Sequence, residues 1–374
     1  SAASDVYKRQ ILVGMMLLVA VIKNSGIFEY IAIKAAKIAK GRPWPIMVIF
    51  ILITAVCSGM LDNVTTVLLV GPMTLAITNI LKVDPVPYII TQIMASNIGG
   101  TATLIGDPPN IMIGSAAKLS FVDFILNTGV ATVFVIIVGL ICMYFIYGRK
   151  LFVTDESIAK VMQLDENKAI KDRKLMHESV IVIILVALCF IFHDQLGVQS
   201  CTVAIAAACI MLLIGGQEPE EIIADVEWPT ILFFIGLFIV VGGMKKVGVI
   251  TMLANGLISI THGNMVVTMM VILWVSAIVS SFLDNIPFVA TLIPMILTMQ
   301  SEGMDVAPIW WALSLGACLG GNGTLIGASA NVVLSGISKN NGHPITFGQY
   351  FKIGFPMMIL SIIVCSVFLL IRFA

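Results

Sequence analysis

Two aspartates, Asp62 and Asp284, lie in the middle of long apolar stretches, where ionised side chains are rare. Each is followed by an asparagine, Asn63 or Asn285, at the point where the apolar run turns back. An ionised carboxylate in mid-bilayer costs about 2.5–3.5 kcal/mol on insertion scales, so it must be protonated, bind a cation or accept hydrogen bonds. These four residues therefore predict a cation site, for H⁺ or Na⁺, at the tips of two helical hairpins.

The hydroxyl residues beside the tips, Thr65, Thr66 and Ser281, are assigned to the same site. A structural alternative is that each aspartate only caps the second helix of its hairpin by accepting from free backbone amides. The recurrence of the pair at matching positions favours a binding site.

A second pattern with chemical potential follows each hairpin. It contains a Gly-Gly pair with Thr, followed by a further Gly and in the first copy by Pro-Pro, a combination that unwinds a membrane helix. Lipid tolerates such a break only beside protein or a water-filled cavity. The helix N-terminus after the break suits an oxyanion, and the carbonyls before the break suit Na⁺. Close packing by small residues is the alternative, but it does not explain the repeated Asn and Thr. The predicted site residues are Asn97, Gly99, Gly100, Thr101, Thr103, Gly106, Asp107, Asn110, Gly320, Gly321, Asn322, Thr324, Gly327, Ser329 and Asn331.

Asp107 breaks the match between the two patterns, because Ala328 occupies the corresponding position. Two interpretations stay open: a proton carrier, or an N-cap before Pro108 and Pro109.

The two sets of motifs are related by a constant offset in the chain. Residues 58, 61, 62, 63, 72 and 73 recur at plus 222, and residues 99, 100, 103 to 106 and 110 recur at plus 221. The matched residues are the unusual ones, which indicates an internal duplication. Lys34, Lys37, Lys40 and Arg42 precede the first hairpin, whereas residues 256–264 contain no Lys or Arg. The halves are therefore predicted to be inverted in the membrane.

Composition places the chain in a bilayer: 59% of its 374 residues are hydrophobic, 11% are charged, and the formal net charge is zero. Nothing indicates nucleic-acid binding. We predict an all-α polytopic protein of the cell (plasma) membrane. The predicted parts are 1–10 (non-native or misread), 11–147 (first repeat, N-terminally truncated), 148–176 (cytoplasmic linker) and 177–374 (second repeat). The predicted hairpins are 45–81 and 265–298, and the predicted broken helices are 88–117 and 309–337. The predicted unbroken spans are 11–22, 124–147, 178–192, 199–214, 228–244 and 353–373.

These features predict a secondary transporter that works by alternating access, with no cofactor beyond the coupling ion. An enzyme is not expected, because the site region offers Asp, Asn and Thr without a nucleophile and its base. No phosphate-binding loop occurs, so the chain alone is not a primary pump, although the sequence leaves room for a separate ATPase subunit. A passive ion channel is the alternative of another class, and the closed hairpins argue against it.

The strings GGTATLIGDPPN and GGNGTLIGASANVV and the two LDN tips resemble the ion transporter superfamily, from Ile11 to the C-terminus. The nearest branch contains arsenite permeases, type D sodium/proton antiporters and the melanosomal P-protein. Divalent-anion/sodium symporters are more distant, and their paired Ser-Asn-Thr tips correspond to 62–64 and 284–286.

This resemblance implies a homodimer in which a transport domain moves like an elevator against a scaffold domain. It implies transport of an arsenite-like anion, or of Na⁺ in exchange for H⁺. The alternative is a Na⁺- or H⁺-coupled symporter of citrate or a dicarboxylate. Aspartate in place of serine at both tips departs from the symporter pattern and shifts the expectation towards protons or Na⁺/H⁺ exchange.

Overall fold

A computed structural model describes residues 2–192, 200–224, 232, 236, 239–244, 246–261 and 263–374. The described residues form helices and connecting turns, with no strand among them. The predicted span 228–244 lies largely outside this described part.

The first half contains eight helices within the described residues. Helix α1 begins inside the segment 1–10 that was predicted to be foreign, which leaves that prediction untested. A π-helical turn over Ile125–Gly129 joins the last two helices into one long rod. The bounds are α1 Ala2–Lys23, α2 Ile27–Ile38, α3 Pro43–Met60, α4 Asn63–Leu81, α5 Val86–Thr101, α6 Pro108–Ala117, α7 Phe121–Phe124 and α8 Val130–Ile146.

The connecting segment and the second half continue the same pattern of helices. The described helices are α9 Asp155–Met162, α10 Arg173–Ile191, α11 Ser200–Ile214, α12 Pro219–Ala224, α13 Val249–Thr261, α14 Met265–Phe282, α15 Asn285–Ser301, α16 Ala307–Gly320, α17 Ser329–Asn340 and α18 Phe347–Phe373. The ends of the predicted hairpins and broken helices differ from these bounds by at most three residues.

Six helices of the described part are long and apolar enough to cross a membrane, and the bent pair α1–α2 could add a seventh span. The predicted all-helical membrane architecture is therefore confirmed at this level. The helices change direction where the sequence requires it: the break before α6 ends at Pro108 and Pro109, which lack the amide hydrogens that a first helical turn leaves unpaired.

Helix α2 and the helix α9 in the linker were not predicted, because both are too short to register as membrane spans. A 67° bend at Gly26, whose φ is +81°, turns the chain from α1 into α2. The linker lies against α2: Lys37 Nζ is 2.6 Å from a Glu166 carboxylate oxygen and also donates to the Leu164 carbonyl. The predicted linker is thus a packed segment of the fold.

Each hairpin packs its first helix against the broken helix that follows, without intervening side chains. A Cβ on Gly99 would lie 2.1 Å from the Ala55 carbonyl oxygen, and one on Gly320 would lie 2.6 Å from the Ala277 carbonyl oxygen. Positions 55 and 277 are related by the 222-residue offset, and 99 and 320 by the 221-residue offset. The two halves therefore use the same close backbone contact to place their hairpin tips beside their helix breaks.

Candidate functional site

Each helix break is spanned by the side-chain amide of a fully buried asparagine, Asn110 in the first half and Asn331 in the second. Asn110 Nδ2 lies 2.9 Å from the Thr103 carbonyl oxygen and 3.2–3.3 Å from those of Thr101 and Gly100. Asn331 Nδ2 makes the equivalent contacts with carbonyls of the second break, those of Gly321 (2.7 Å) and Thr324 (2.9 Å). The carbonyls that the sequence suggested for Na⁺ thus have protein donors.

The two broken helices meet at Asn97, in the last turns of α5. Its Nδ2 donates to Asn322 Oδ1 at 2.9 Å and to Asn331 Oδ1 at 2.8 Å, and both of these residues belong to the second half. Its Oδ1 accepts from Asn63 Nδ2 at 3.4 Å. Asn322 Nδ2 also donates to the Met94 carbonyl at 3.3 Å. Predicted site residues from three separate segments are therefore brought together at one point.

The tip of the first hairpin is organised by Asp62, whose side chain is 3% exposed. One carboxylate oxygen accepts from the Thr65 amide at 2.8 Å, and the other accepts from the Thr65 hydroxyl at 2.5 Å. The capping role considered from the sequence is thus present. It uses up two of the carboxylate's acceptor positions and leaves others for a further partner.

The tip of the second hairpin is similar but more open. Asp284 caps α15 by accepting from the Ile286 amide at 3.0 Å, and its second oxygen accepts from the Ser329 hydroxyl at 2.9 Å. Ser329 is the first residue of α17, so this bond joins the hairpin tip to the second helix break. Asp284 is half-buried, unlike Asp62.

Asp107 is the third buried acid of the site, with 1% exposure. Although it stands at the N-cap position of α6, its side chain makes no capping bond. Instead its two oxygens lie 3.2 Å and 3.4 Å from Asn285 Nδ2 in the opposite hairpin. The two hairpin tips are therefore joined through the first broken helix, by Asn63–Asn97 on one side and Asn285–Asp107 on the other.

The asymmetry at position 107 changes the environment of the matching asparagine. Asn285 faces the Asp107 carboxylate, whereas the residue that matches Asp107 at the 221-residue offset is Ala328, which has no polar side chain to offer to Asn63, the counterpart of Asn285. Asn63 Oδ1 is buried without a hydrogen-bond partner, as is the hydroxyl of Thr66 in the next turn. A buried polar atom without a partner carries a free-energy cost of about 1–3 kcal/mol. These two atoms are therefore available to a bound ion, substrate or water.

The remaining predicted residues hold the backbone in place. Thr103 and Thr324 donate to the carbonyls of Gly59 and Ser281 in their own hairpins. The Ser281 hydroxyl lies 2.7 Å from the Ala277 carbonyl oxygen of its own helix and 3.0 Å from the Gly320 carbonyl oxygen, and the Thr101 hydroxyl donates to the Asn97 carbonyl at 2.7 Å. The predicted glycines allow close backbone contact: a Cβ on any of them would lie 2.1–3.0 Å from another atom, as for Gly99, Gly100, Gly106, Gly320, Gly321 and Gly327.

Sequence reasoning missed two contacts to Asn110. The Ser314 hydroxyl donates to Asn110 Oδ1 at 2.6 Å, and the Cys318 thiol lies 3.5 Å from the same oxygen. Ser314 is a buried polar residue inside the apolar helix α16, which is a signal that could have identified it. Cys318 corresponds to Asn97 at the 221-residue offset, so Cys318–Asn110 occupies the position that Asn97–Asn331 occupies in the other half.

The site is rich in carboxyl groups. In the described part of the chain, none of the carboxylates of Asp62, Asp107 and Asp284 lies within ion-pair distance of a basic side chain. Buried charges in proteins are paired or bind ions, because their desolvation is otherwise uncompensated. The arrangement is chemically suited to protons or to a small cation with oxygen ligands.

Comparisons with known proteins agree with this architecture. The chain is 43% identical over 367 residues to an uncharacterized transporter of Mycobacterium bovis, covering 97% of this chain and 85% of the relative. It is 32% identical over 441 residues to the P protein of Homo sapiens, covering 96% of this chain and 53% of the P protein. The chain thus spans about half of that longer relative.

The fold is similar to the crystal structure of the Alcanivorax borkumensis YdaH transporter, with a TM-score of 0.62 and 15% sequence identity over 96% of this chain and 84% of that one. The profile of the family described as Citrate transporter, CitMHS, matches residues 10–316. Together with the P protein relative, this match confirms the resemblance to the ion transporter superfamily that the sequence motifs indicated. The chain belongs to the CitMHS citrate transporter family of secondary membrane transporters.

Proposed function

We propose that the chain is an ion-coupled antiporter that exchanges H⁺ for Na⁺ or another small inorganic ion by alternating access. The observation that carries the proposal is the set of three carboxylates, Asp62, Asp107 and Asp284, without a basic partner in the described part of the chain. Two of them are almost fully buried. Protonation or cation binding is the physical means by which such groups are neutralised.

In this proposal Asp107 is the central acid, because it is almost fully buried and contacts Asn285 from the opposite hairpin. The unpartnered Asn63 Oδ1 and Thr66 hydroxyl supply further oxygen atoms near the first tip. The remaining polar residues predicted from the sequence position the two tips. The two inverted repeats, the elevator movement, the homodimer and a cytoplasmic position of 148–176 are parts of the same proposal.

The second candidate function is coupled symport of a carboxylate, in keeping with the family description of citrate transport. A structural observation favours it: the first turn of α17 has no side-chain cap, because Ala328 stands at its N-cap position. Free amides at a helix N-terminus attract anions. This candidate requires the cation bound at the acids to neutralise part of the substrate charge.

Reconstitution separates the two candidates. Purified protein is placed in liposomes with an internal pH dye, and an outward proton gradient is imposed in the presence of Na⁺, arsenite or citrate. Antiport predicts proton flux that depends on Na⁺ or arsenite and is lost in Asp107→Asn. Two results together would overturn antiport in favour of symport. These are uptake of radiolabelled citrate driven by a Na⁺ or proton gradient, and no proton flux when Na⁺ is the only added solute. Flux that ignores every ion gradient would overturn both.

A further inference from the structure

The outer face of helix α8 carries a row of exposed apolar side chains, far in character from the acidic site. Every fourth residue from 133 to 145 is apolar and at least half exposed: Val133, Ile137, Ile141 and Phe145. The helix rises about 18 Å over this stretch, which is close to the apolar depth of one bilayer leaflet, about 15 Å. This row, which we call the α8 ridge, therefore suits an acyl chain of a single leaflet.

The ridge ends beside a pair of aromatic rings that is typical of a membrane–water boundary. The rings of Trp44 and Tyr144 meet edge to face, with their centroids 5.3 Å apart. Gly148 lies against the same pair, because a Cβ there would be 2.7 Å from Trp44 Cε3 and 2.8 Å from Tyr144 Cδ2. Trp and Tyr concentrate at the headgroup level of membranes, since their rings are amphipathic. The ring pair therefore marks the level at which the ridge leaves the hydrocarbon.

Three exposed basic side chains lie next to this ring pair in the chain. Arg42 stands two residues before Trp44, and Arg149 and Lys150 belong to the 3₁₀ turn that follows α8. None of the three forms an ion pair within the described ranges of the chain. Phe152, two residues further on, is 84% exposed. This end of α8 thus combines uncompensated positive charge with an apolar side chain that is poorly suited to water.

We propose that this surface binds an anionic phospholipid. The lipid phosphate faces Arg42, Arg149 and Lys150, and an acyl chain lies along the α8 ridge. Arg and Lys are the usual donors to phosphate, and each basic residue near a membrane surface adds to the attraction for anionic lipids. A zwitterionic lipid offers the same acyl chains but also a cation, so the three charges select a headgroup with a net negative charge.

The bound lipid would also contact the first hairpin at its base. Trp44 lies in the first turn of α3, the first helix of that hairpin, and it packs on the end of α8 through Tyr144 and Gly148. The lipid is therefore placed at the joint between α8 and the hairpin, away from Asp62 at the hairpin tip.

Native mass spectrometry of the purified full chain measures this binding directly. The protein in detergent is titrated with phosphatidylglycerol or with phosphatidylcholine of the same acyl chains. We expect tighter binding of phosphatidylglycerol, and a loss of at least tenfold in that affinity in Arg149→Gln/Lys150→Gln, because each charge changes the affinity about fivefold. Lys339→Gln removes an exposed charge from the last turn of α17 and should keep the wild-type affinity.

Equal affinity for the two lipids, or an unchanged affinity for phosphatidylglycerol in the double variant, would overturn the proposal. Competition by glycerol 3-phosphate, which has no acyl chain, would overturn it by showing that the ridge takes no part. A dimer that binds no phosphatidylglycerol at any concentration would overturn it by showing that a second copy covers the surface. The substituted side chains are exposed, so folding is expected to be retained, and size-exclusion chromatography checks this. The measurement does not depend on transport, so its outcome is independent of the proposed exchange activity.

Discussion

The substitution Asn110→Ala tests whether the amide bridge holds the first helix break together. The Asn110 amide donates towards three buried carbonyls at 2.9–3.3 Å, and its two hydrogens can satisfy two of them well. A buried acceptor left unpaired costs about 1–3 kcal/mol, so two such groups cost about 2–6 kcal/mol. The Ser314 hydroxyl also loses its acceptor. We expect the free energy of unfolding to fall by about 3–6 kcal/mol.

The assay is SDS-induced unfolding of purified protein in mixed micelles, followed by circular dichroism. Asn341→Ala is the matched control: Asn341 is exposed and donates one bond to the Ile337 carbonyl, so its removal should change stability by less than about 0.5 kcal/mol. Ser314→Ala should cost about 1 kcal/mol, because one hydrogen bond is lost while the Cys318 thiol stays near Asn110. If Asn110→Ala is no more destabilising than Asn341→Ala, the bridging role of the amide is refuted.

Three further predictions concern the acid, the helix contact and the linker. Asp107→Asn keeps an acceptor for Asn285 Nδ2 and should fold normally, yet lose at least tenfold in ion-driven flux in liposomes; wild-type flux would contradict the assigned role. Gly99→Ala places a Cβ 2.1 Å from a backbone carbonyl of α3 and should reduce the yield of folded protein in size-exclusion chromatography, whereas Gly139→Ala, with no atom within 4 Å, should behave as wild type. The Lys37 ammonium lowers the pKa of Glu166, so the linker contact should be present at neutral pH and be lost as the pH falls through that lowered pKa. The protection factors of the linker amides against hydrogen exchange should fall at low pH in wild type and be low at all pH values in Glu166→Gln. Wild-type protection factors that do not change with pH would refute the contact.

The helix breaks and hairpin tips could be predicted because their signals are local. The predicted unwinding at the first Gly-Gly pair is wrong in detail, because Gly99 and Gly100 stay within α5 and the break lies between Thr101 and Pro108. The Asp-Asn pairs mark a reversal in an apolar run. The bounds of α4 and α6 followed from these residues to within a few positions.

The partners of the site residues could not be predicted, because they depend on which helices meet in three dimensions. The sequence indicates free carbonyls at the breaks, but the buried amides of Asn110 and Asn331 satisfy them from the next helix. The contact between Asp107 and Asn285 spans 178 residues, and no local pattern encodes it. Helix α2 was missed for a different reason: its twelve residues are too short to cross a membrane, and it is held by the linker and the bend at Gly26.

The carboxyl group at position 107, with alanine at the matching position 328, should affect the order in which the proposed transporter binds its ions. Two identical halves would present two ion sites of equal affinity, and an ion would bind to either site at random. Here one place has an additional carboxyl group facing Asn285, and the other has an amide oxygen of Asn63 with no partner. We expect the two places to differ in affinity, so that one ion loads first and leaves last. In the proposed mechanism, this asymmetry gives each transport cycle a fixed order of ion binding and release.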